Sequence, residues 1–186
     1  MKLPKVAAVI AGVLVIGVIV TVWVYKAHRA GVVQDKNLSA FAQWVRVSPV
    51  DGHFSIDMPG RPDVKVTRQP LVQHSVIFER ETGPSFTAIA TEFPPNANTN
   101  VNPVTVLTQW RDKLVQQEHI KLSRSSFVTL RGFSGIEFAG EMADNGPMLF
   151  RCFIVEGRMF TLWAAPVAEN AHSPEVQHFF DSLKFD

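Results

Sequence analysis

The chain has 186 residues, with 18 Lys and Arg against 17 Asp and Glu, and a single cysteine. This balance of charge, without a basic block or stripe, argues against nucleic acid as a partner. One cysteine excludes an internal disulfide, and the length allows one medium domain with an additional segment.

The additional segment is an apolar run near the N-terminus. From Val6 to Tyr25 the chain has twenty residues without a charge, and at about 1.5 Å per residue such a helix spans about 30 Å, the hydrocarbon thickness of a bilayer. Trp23 near the end of the run and Lys26 directly after it lie at the positions of interfacial anchors. We predict a short tail over 1–5 and an uncleaved transmembrane helix over 6–25, so that the membrane is the first expected partner.

A cleavable signal peptide is the alternative for this run. Its apolar core would be shorter and would end in an A-x-A pattern. The first such pattern here, Ala40-Phe41-Ala42, lies well downstream. Cations on the two sides of the run are nearly equal in number, so the positive-inside rule leaves the orientation open.

Residues 26–47 are predicted to be a juxtamembrane linker. Leu38, Phe41 and Val45 recur at helical spacing, which allows a short helix that either tethers the domain or lies on the membrane surface. The folded domain is expected over 48–186.

Alternating apolar and polar residues predict the strands of this domain. Residues 53–58 alternate strictly and stop at the corner Pro59–Pro62. The irregular segment after the corner, broken at Pro70, is typical of an edge strand. Further strands are expected over 74–81, 85–93, 126–132, 134–142, 147–157 and 158–166.

Two helices are predicted to cover the sheet. Asn102 can cap a helix over about 103–119, and Ser173 can cap a second helix near the C-terminus. Their buried faces are Leu107, Trp110 and Leu114 in the first, and Val176, Phe179, Phe180 and Leu183 in the second. Both faces of the strand over 148–155 are apolar, so it needs a layer on each side. The predicted fold class is therefore α+β, an antiparallel β-sheet with helices packed on it as an α/β/α sandwich.

Motifs of catalysis and metal binding fail on spacing. The histidines form no H-x₃-H pair, and the segment RGFSGIE over 131–137 lacks the second glycine of a nucleophile elbow. Glu137 and Glu141 are about 13 Å apart along a strand, too far for a glycosidase pair, and are interpreted as its solvated face. Cys152 is interpreted as a packing thiol. We predict a non-enzyme without catalytic, cofactor-binding or metal-binding residues.

One segment of the domain, Pro94–Pro103, has no periodicity. Loops carry binding residues disproportionately, and this one is longer than a connection in a compact domain needs. The alternative is a polar bridge without a role. The candidate partner-binding residues are Pro94, Pro95, Asn96, Asn98 and Asn100.

Several segments recur in the same order in a known family. They are a strand FSIDMPGRP, a helix around Trp110, strands GFSGIEF and GRMFTLWAA, and a closing FFDSLKF. Over 48–186 the sequence resembles the PsbP-like (Mog/PsbP/DcrB-type) domain family. The resemblance implies the PsbP-like fold and a structural role for the Pro-Gly-x-Pro corner. Known relatives mostly bind proteins or remain uncharacterised, and bacterial members commonly face outside the cytoplasm, which implies an extracytoplasmic domain.

We therefore expect a membrane-anchored, non-catalytic interaction or accessory module of the cell envelope. It would be held in the cytoplasmic (inner) membrane by a single pass, with its domain on the extracytoplasmic or periplasmic side and another envelope protein as its partner. A small-molecule or lipid-binding domain is the alternative, with an unfilled apolar cleft as its sign. A hydrolase with convergent polar groups from distant segments is the third.

Overall fold

The structure is a computed structural model, and it describes residues 43–68, 71–80, 83–94, 102–143, 145–167 and 173–186. The predicted tail, the predicted transmembrane helix 6–25 and the linker up to residue 42 lie outside these ranges. Among the helices within them, none has the length and apolar character needed to cross a membrane.

The described ranges contain ten strands and two helices. In chain order they are β1 (Trp44–Val47), β2 (Phe54–Pro59), β3 (Asp63–Thr67), β4 (Gln73–Phe78), β5 (Ser85–Glu92), α1 (Pro103–Gln117), β6 (Lys121–Leu130), β7 (Phe133–Met142), β8 (Gly146–Val155), β9 (Arg158–Ala165), α2 (Pro174–Asp181) and β10 (Lys184–Phe185). A seven-stranded sheet has the order β3-β4-β5-β9-β8-β7-β6, and a three-stranded sheet has the order β1-β2-β10. Every pairing is antiparallel.

The large sheet is covered on both faces, and β8 shows this directly. Its Phe150 and Cys152 belong to the core beneath α1, whereas Leu149 and Phe153 belong to the core beneath α2 and the small sheet. The predicted double burial of this strand is confirmed, and so is the α+β architecture of antiparallel strands with two helices.

Both predicted helix caps are confirmed. The Asn102 side chain accepts a hydrogen bond from the Val104 N–H at 2.9 Å, and the Ser173 hydroxyl accepts one from the Val176 N–H at 3.3 Å. Each cap satisfies one of the N–H groups that the first turn of a helix leaves without a partner. The predicted buried stripe of α1, with Trp110 at 1% exposure, is also confirmed.

Two short strands differ from the sequence-based expectation. Val45 was part of a helical spacing, but it lies in β1, which pairs with β2. β10 was not predicted, and it also pairs with β2. Strands of four and two residues are stabilised by a distant partner, and the local pattern of so few residues does not specify them.

The corner at residues 59–62 leads the chain from β2 in the small sheet to β3 in the large one. Gly60 has a φ of +118°, and a Cβ there would lie 2.9 Å from the ring of Phe78. The corner therefore requires glycine for both its backbone conformation and its packing.

Candidate functional site

The large sheet has two edges, and their sequences differ in how they resist pairing with another chain. At one edge, β3 has five residues, follows Pro62 and carries Asp63 and Lys65. Short length, charge and proline are the usual protections of an exposed edge. At the other edge, β6 has ten residues. The longer edge therefore lacks the protection that short length gives to β3.

A bulge between Leu122 and Arg124 divides β6 into two parts. Lys121 lies before the bulge, Arg124 resumes the register opposite Ala139 directly after it, and the hydroxyl of Ser123 at the bulge donates to the carbonyl of Ala139 at 3.1 Å. After Arg124, the residues Ser125–Leu130 read SSFVTL, keep a regular register with β7 and contain no charge and no proline. We call them the open edge segment.

The turn after β6 determines which backbone groups of the open edge segment point outward. Arg131 and Gly132 have φ angles of 51° and 88°, as in a type I′ hairpin turn, in which the carbonyl before the turn accepts from the N–H after it. Leu130 and Phe133 are thus a hydrogen-bonded pair. Since such pairs alternate with non-bonded pairs along a ladder, Ser125, Phe127 and Thr129 direct their N–H and C=O groups away from β7.

Phe127 is the main apolar side chain on this edge. Its side chain is 60% exposed, although it lies opposite Ile136, which is fully buried beneath α1. Among the phenylalanines in the described ranges, it alone is exposed. Isolated exposed apolar residues are common. Phe127 differs because it lies at the centre of an uncharged strand edge.

Cations border the open edge segment at both ends. Arg124 precedes it and lies 3.5 Å from Glu137 of β7, while Arg131 follows it in the exposed turn. Between Lys121 and Gly132 the sequence contains no carboxylate. The edge therefore combines outward backbone groups, an exposed aromatic ring and a positive charge at each end.

A polar cluster joins the small sheet to α2. Its contacts stabilise the fold. The Asp57 carboxylate accepts from Arg46 at 2.8 Å and lies 3.1 Å from Nε2 of His178, whose ring packs against Trp44. The Ser182 hydroxyl donates to the carbonyl of Phe179 and accepts from the Asp57 N–H. Both of these hydrogen bonds of the hydroxyl are to backbone groups, and they connect β2 to the C-terminal end of α2.

Glu137 was interpreted as solvated, and that interpretation was wrong. Its side chain is 14% exposed and receives two hydrogen bonds from Arg151, at 2.8 and 3.0 Å. The reason is the register of the β7–β8 pair, which sets Glu137 directly opposite Arg151. Arg151 also contacts Asp181 at the end of α2. These charges connect α2 to the sheet.

Two buried groups have shifted pKa values. Burial raises the pKa of the Cys152 thiol well above its usual range, and Thr161, which lies opposite it on β9, opposes this only in part. Burial lowers the pKa of His74, which is 4% exposed, while Glu92 and Asp51 act in the opposite direction. The interpretation of Cys152 as a packing thiol is confirmed, since it lies inside the core beneath α1.

Within the ranges that the structure describes, no three His, Cys, Asp or Glu side chains come close enough to hold a metal ion together. Cys152, His74 and the described carboxylates around them are among these residues. None of these residues forms a metal centre with its described neighbours.

The sequence-predicted loop site is described only at its ends. Pro94 is described, and the neighbouring Phe93 N–H donates to the Gly157 carbonyl at 2.9 Å. At the other end Asn102 is held by its role as the α1 cap. The remaining candidate residues, Pro95, Asn96, Asn98 and Asn100, lie outside the described residues, so the loop site stays a prediction.

The chain matches no protein-family model and no curated protein. Among solved structures it is similar to the solution structure of the cyanobacterial PsbP (CyanoP) from Synechocystis sp. PCC 6803. The two share 11% sequence identity over 85% of this chain and 99% of that chain, with a TM-score of 0.56. The fold is PsbP-like. At this level of identity the similarity concerns the PsbP-like fold alone, and it agrees with the fold that the sequence resemblance implied.

Sequence reasoning placed Phe127 in a strand of the PsbP-like fold but did not identify it as a candidate site residue. Whether a strand lies in the middle or at the edge of a sheet depends on pairings between distant segments. One local signal was present, since SSFVTL combines strand-forming residues with no charge and no proline. That signal becomes informative only once the edge position is known.

Proposed function

We propose that this chain is a membrane-anchored, non-catalytic interaction module of the cell envelope. The observation that supports it best is the open edge segment Ser125–Leu130, which presents outward backbone groups around the exposed ring of Phe127. The opposite edge of the same sheet is short and charged. Of the two edges of the large sheet, only the β6 edge is left unprotected, and an unprotected edge can pair with a strand of a protein partner.

The polar clusters of the domain support a non-catalytic role. Glu137, Arg151 and Asp181 hold α2 on the sheet, and Asp57 with His178 holds the small sheet against the same helix. Each of these groups has a structural partner. A catalytic site would need such groups to converge on a space for a substrate.

The sequence supports the proposed anchor and location of the module. The uncharged run Val6–Tyr25 has the length of a transmembrane helix, and the resemblance to PsbP-like domains favours a domain outside the cytoplasm. The partner is another envelope protein. The loop Pro94–Pro103 is a second candidate contact.

Site-specific photo-cross-linking tests the proposal in the full chain in its native membranes. A photoreactive residue at Phe127 and, in a separate variant, at Asn98 is expected to give a discrete protein adduct. The matched control is Val66 on β3, a 41% exposed side chain on the protected edge, which is expected to give none. If Phe127 and Asn98 give no more adduct than Val66, the domain is not an interaction module.

Membrane placement is tested separately. The reporter is an enzyme that is active only outside the cytoplasm, fused after Asp186. We expect this fusion to show activity. The mass of the purified protein is expected to show that the run Val6–Tyr25 is retained. A reporter active only inside the cytoplasm would reverse the proposed orientation, and a mature chain that begins after the run would contradict the anchor.

A further inference from the structure

We infer that the open edge segment binds its partner by β-strand addition, and that the partner segment is an extended strand with an uncharged centre and a carboxylate at each end. This inference rests on the interaction function proposed above. It specifies the chemistry that the partner must have.

The backbone of the open edge segment provides the hydrogen bonds. Ser125, Phe127 and Thr129 each direct one N–H and one C=O away from β7, as the type I′ turn at Arg131 and Gly132 requires. Alternate residues of an added strand direct their backbone N–H and C=O groups toward this edge at the same spacing. An extended segment can therefore pair with all three positions without any change in the ladder between β6 and β7.

The side chains around Phe127 provide an apolar contact. Phe127 lies on the α1 side of the sheet with Ser125 and Thr129 two positions away on either side. Side chains that face each other across a strand pair lie about 5 Å apart. An apolar residue of the added strand opposite Phe127 would cover a ring that is now 60% exposed.

The charges at the two ends select the partner. If a second copy of this chain were the partner, the residues with outward backbone groups in one copy would have to pair with those in the other. The symmetric antiparallel register that uses Ser125, Phe127 and Thr129 of both copies is centred on Phe127. That register sets Arg124 opposite Leu130 of the other copy, beside its Arg131, at both ends. Like charges so placed disfavour self-pairing. A foreign strand with carboxylates at its ends meets a cation at each end.

The rest of β6 supports strand addition at this segment in particular. The bulge between Leu122 and Arg124 interrupts the register there, with the cation Lys121 before it and the cation Arg124 directly after it. Bulges and edge charges are the features that block pairing. The segment that lacks both is six residues long, about the length of an average strand.

Two matched substitutions test the backbone contact. Thr129→Pro removes an outward N–H without removing a bond to β7, a position at which an edge strand tolerates proline. Thr129→Val keeps the N–H and the branched shape. With the photoreactive residue at Phe127 in the full chain in native membranes, we expect adduct formation at limiting expression to fall about fivefold for the proline variant and to be unchanged for the valine variant.

The charge contact is tested by Arg131→Asn. Asn-Gly is favoured in a type I′ turn, so this variant preserves the hairpin. We expect a roughly twofold to fivefold loss of adduct, and a weaker dependence of the remaining adduct on salt. Sequencing of the cross-linked peptide is expected to show an uncharged segment with Asp or Glu at each end.

The outcomes separate this inference from the proposed function. A protein adduct that is equally strong in the Thr129→Pro variant, or that maps to a segment without flanking carboxylates, overturns the inference and leaves the interaction function standing. An adduct with a second copy of this chain overturns the assigned partner chemistry. Absence of adducts from both Phe127 and Asn98 overturns the proposed function and this inference together.

Discussion

Arg151 of β8 donates two hydrogen bonds to one carboxylate oxygen of Glu137 on β7, at 2.8 and 3.0 Å. The two side chains are 13% and 14% exposed. Arg151 also contacts Asp181 at 3.0 Å, and its guanidinium lies 4.9 Å from the centre of the Phe180 ring. One side chain thus connects two strands to α2.

Replacement of this arginine is expected to destabilise the domain strongly. In Arg151→Met the Glu137 carboxylate remains mostly buried without its main partner, which costs about 3 kcal/mol in the free energy of unfolding. Urea denaturation of the domain from residue 43 onward measures this. Arg124→Met is the control, because Arg124 approaches the same carboxylate at 3.5 Å but is 43% exposed. It is expected to cost less than about 1 kcal/mol, and equal costs would contradict the account.

The buried His74 is expected to make stability depend on pH. Burial lowers the pKa of His74 below its ordinary value of 6.5, whereas in the unfolded chain it titrates near that value. As the pH falls below about 6.5 the unfolded state binds more protons, so the free energy of unfolding decreases until the folded-state pKa is reached. Denaturation measured between about pH 7.5 and 5.5 should show this decrease. The decrease in the free energy of unfolding should be smaller in His74→Gln. It should persist in the control variant His119→Asn, because His119 is exposed. The same slope in all three proteins would exclude His74 as its source.

The thiol of Cys152 is expected to be unreactive in the folded protein. It is fully buried, and burial raises its pKa well above the usual range, while the thiolate is the reactive form. Maleimide should therefore label it only as fast as the domain unfolds, and rapidly in urea. Phe127→Cys combined with Cys152→Ala is the control, since a thiol on the exposed edge should react at once. Rapid labelling of native Cys152 would mean that the core beneath α1 opens readily.

Trp110 is expected to be the main contact of α1 with the sheet. It is 1% exposed and packs edge-to-face on Phe138 at 5.9 Å between ring centres. Trp110→Ala should lower the free energy of unfolding by about 4 kcal/mol. The indole N–H has no hydrogen-bond partner among the described residues, so Trp110→Phe loses packing alone and should cost less than half as much. Similar stability of the alanine variant and the wild-type domain would contradict the assigned face of α1.

Features that depend on neighbouring residues could be predicted from the sequence. The cap at Asn102, the cap at Ser173 and the buried stripe around Trp110 follow from residues within one or two helical turns. The strands β2, β4, β5 and β7 to β9 follow from alternation and from turn residues such as Gly132, whereas the predicted strand 126–132 missed the first residues of β6, which begins at Lys121. These local signals, with the resemblance in segment order, were sufficient for the α+β class and the PsbP-like fold.

Features that depend on pairings between distant segments could not be predicted. Glu137 is buried because its register sets it opposite Arg151, and β10 exists because β2 offers it an edge. Phe127 became a candidate site residue only when β6 was found at the end of the strand order. The loop candidate Asn98 was selected by lack of periodicity, and it stays a prediction.

Residue-resolved hydrogen exchange at the open edge segment tests the central claim most directly. In the purified full chain, the amides of Val128 and Leu130, which bond to β7, are expected to exchange slowly, while those of Phe127 and Thr129 exchange fast. When the chain is bound to its partner, the fast pair is expected to become as slow as its neighbours. If Phe127 and Thr129 are already slow in the purified chain, or remain fast in the complex, the edge of β6 is not where this protein binds.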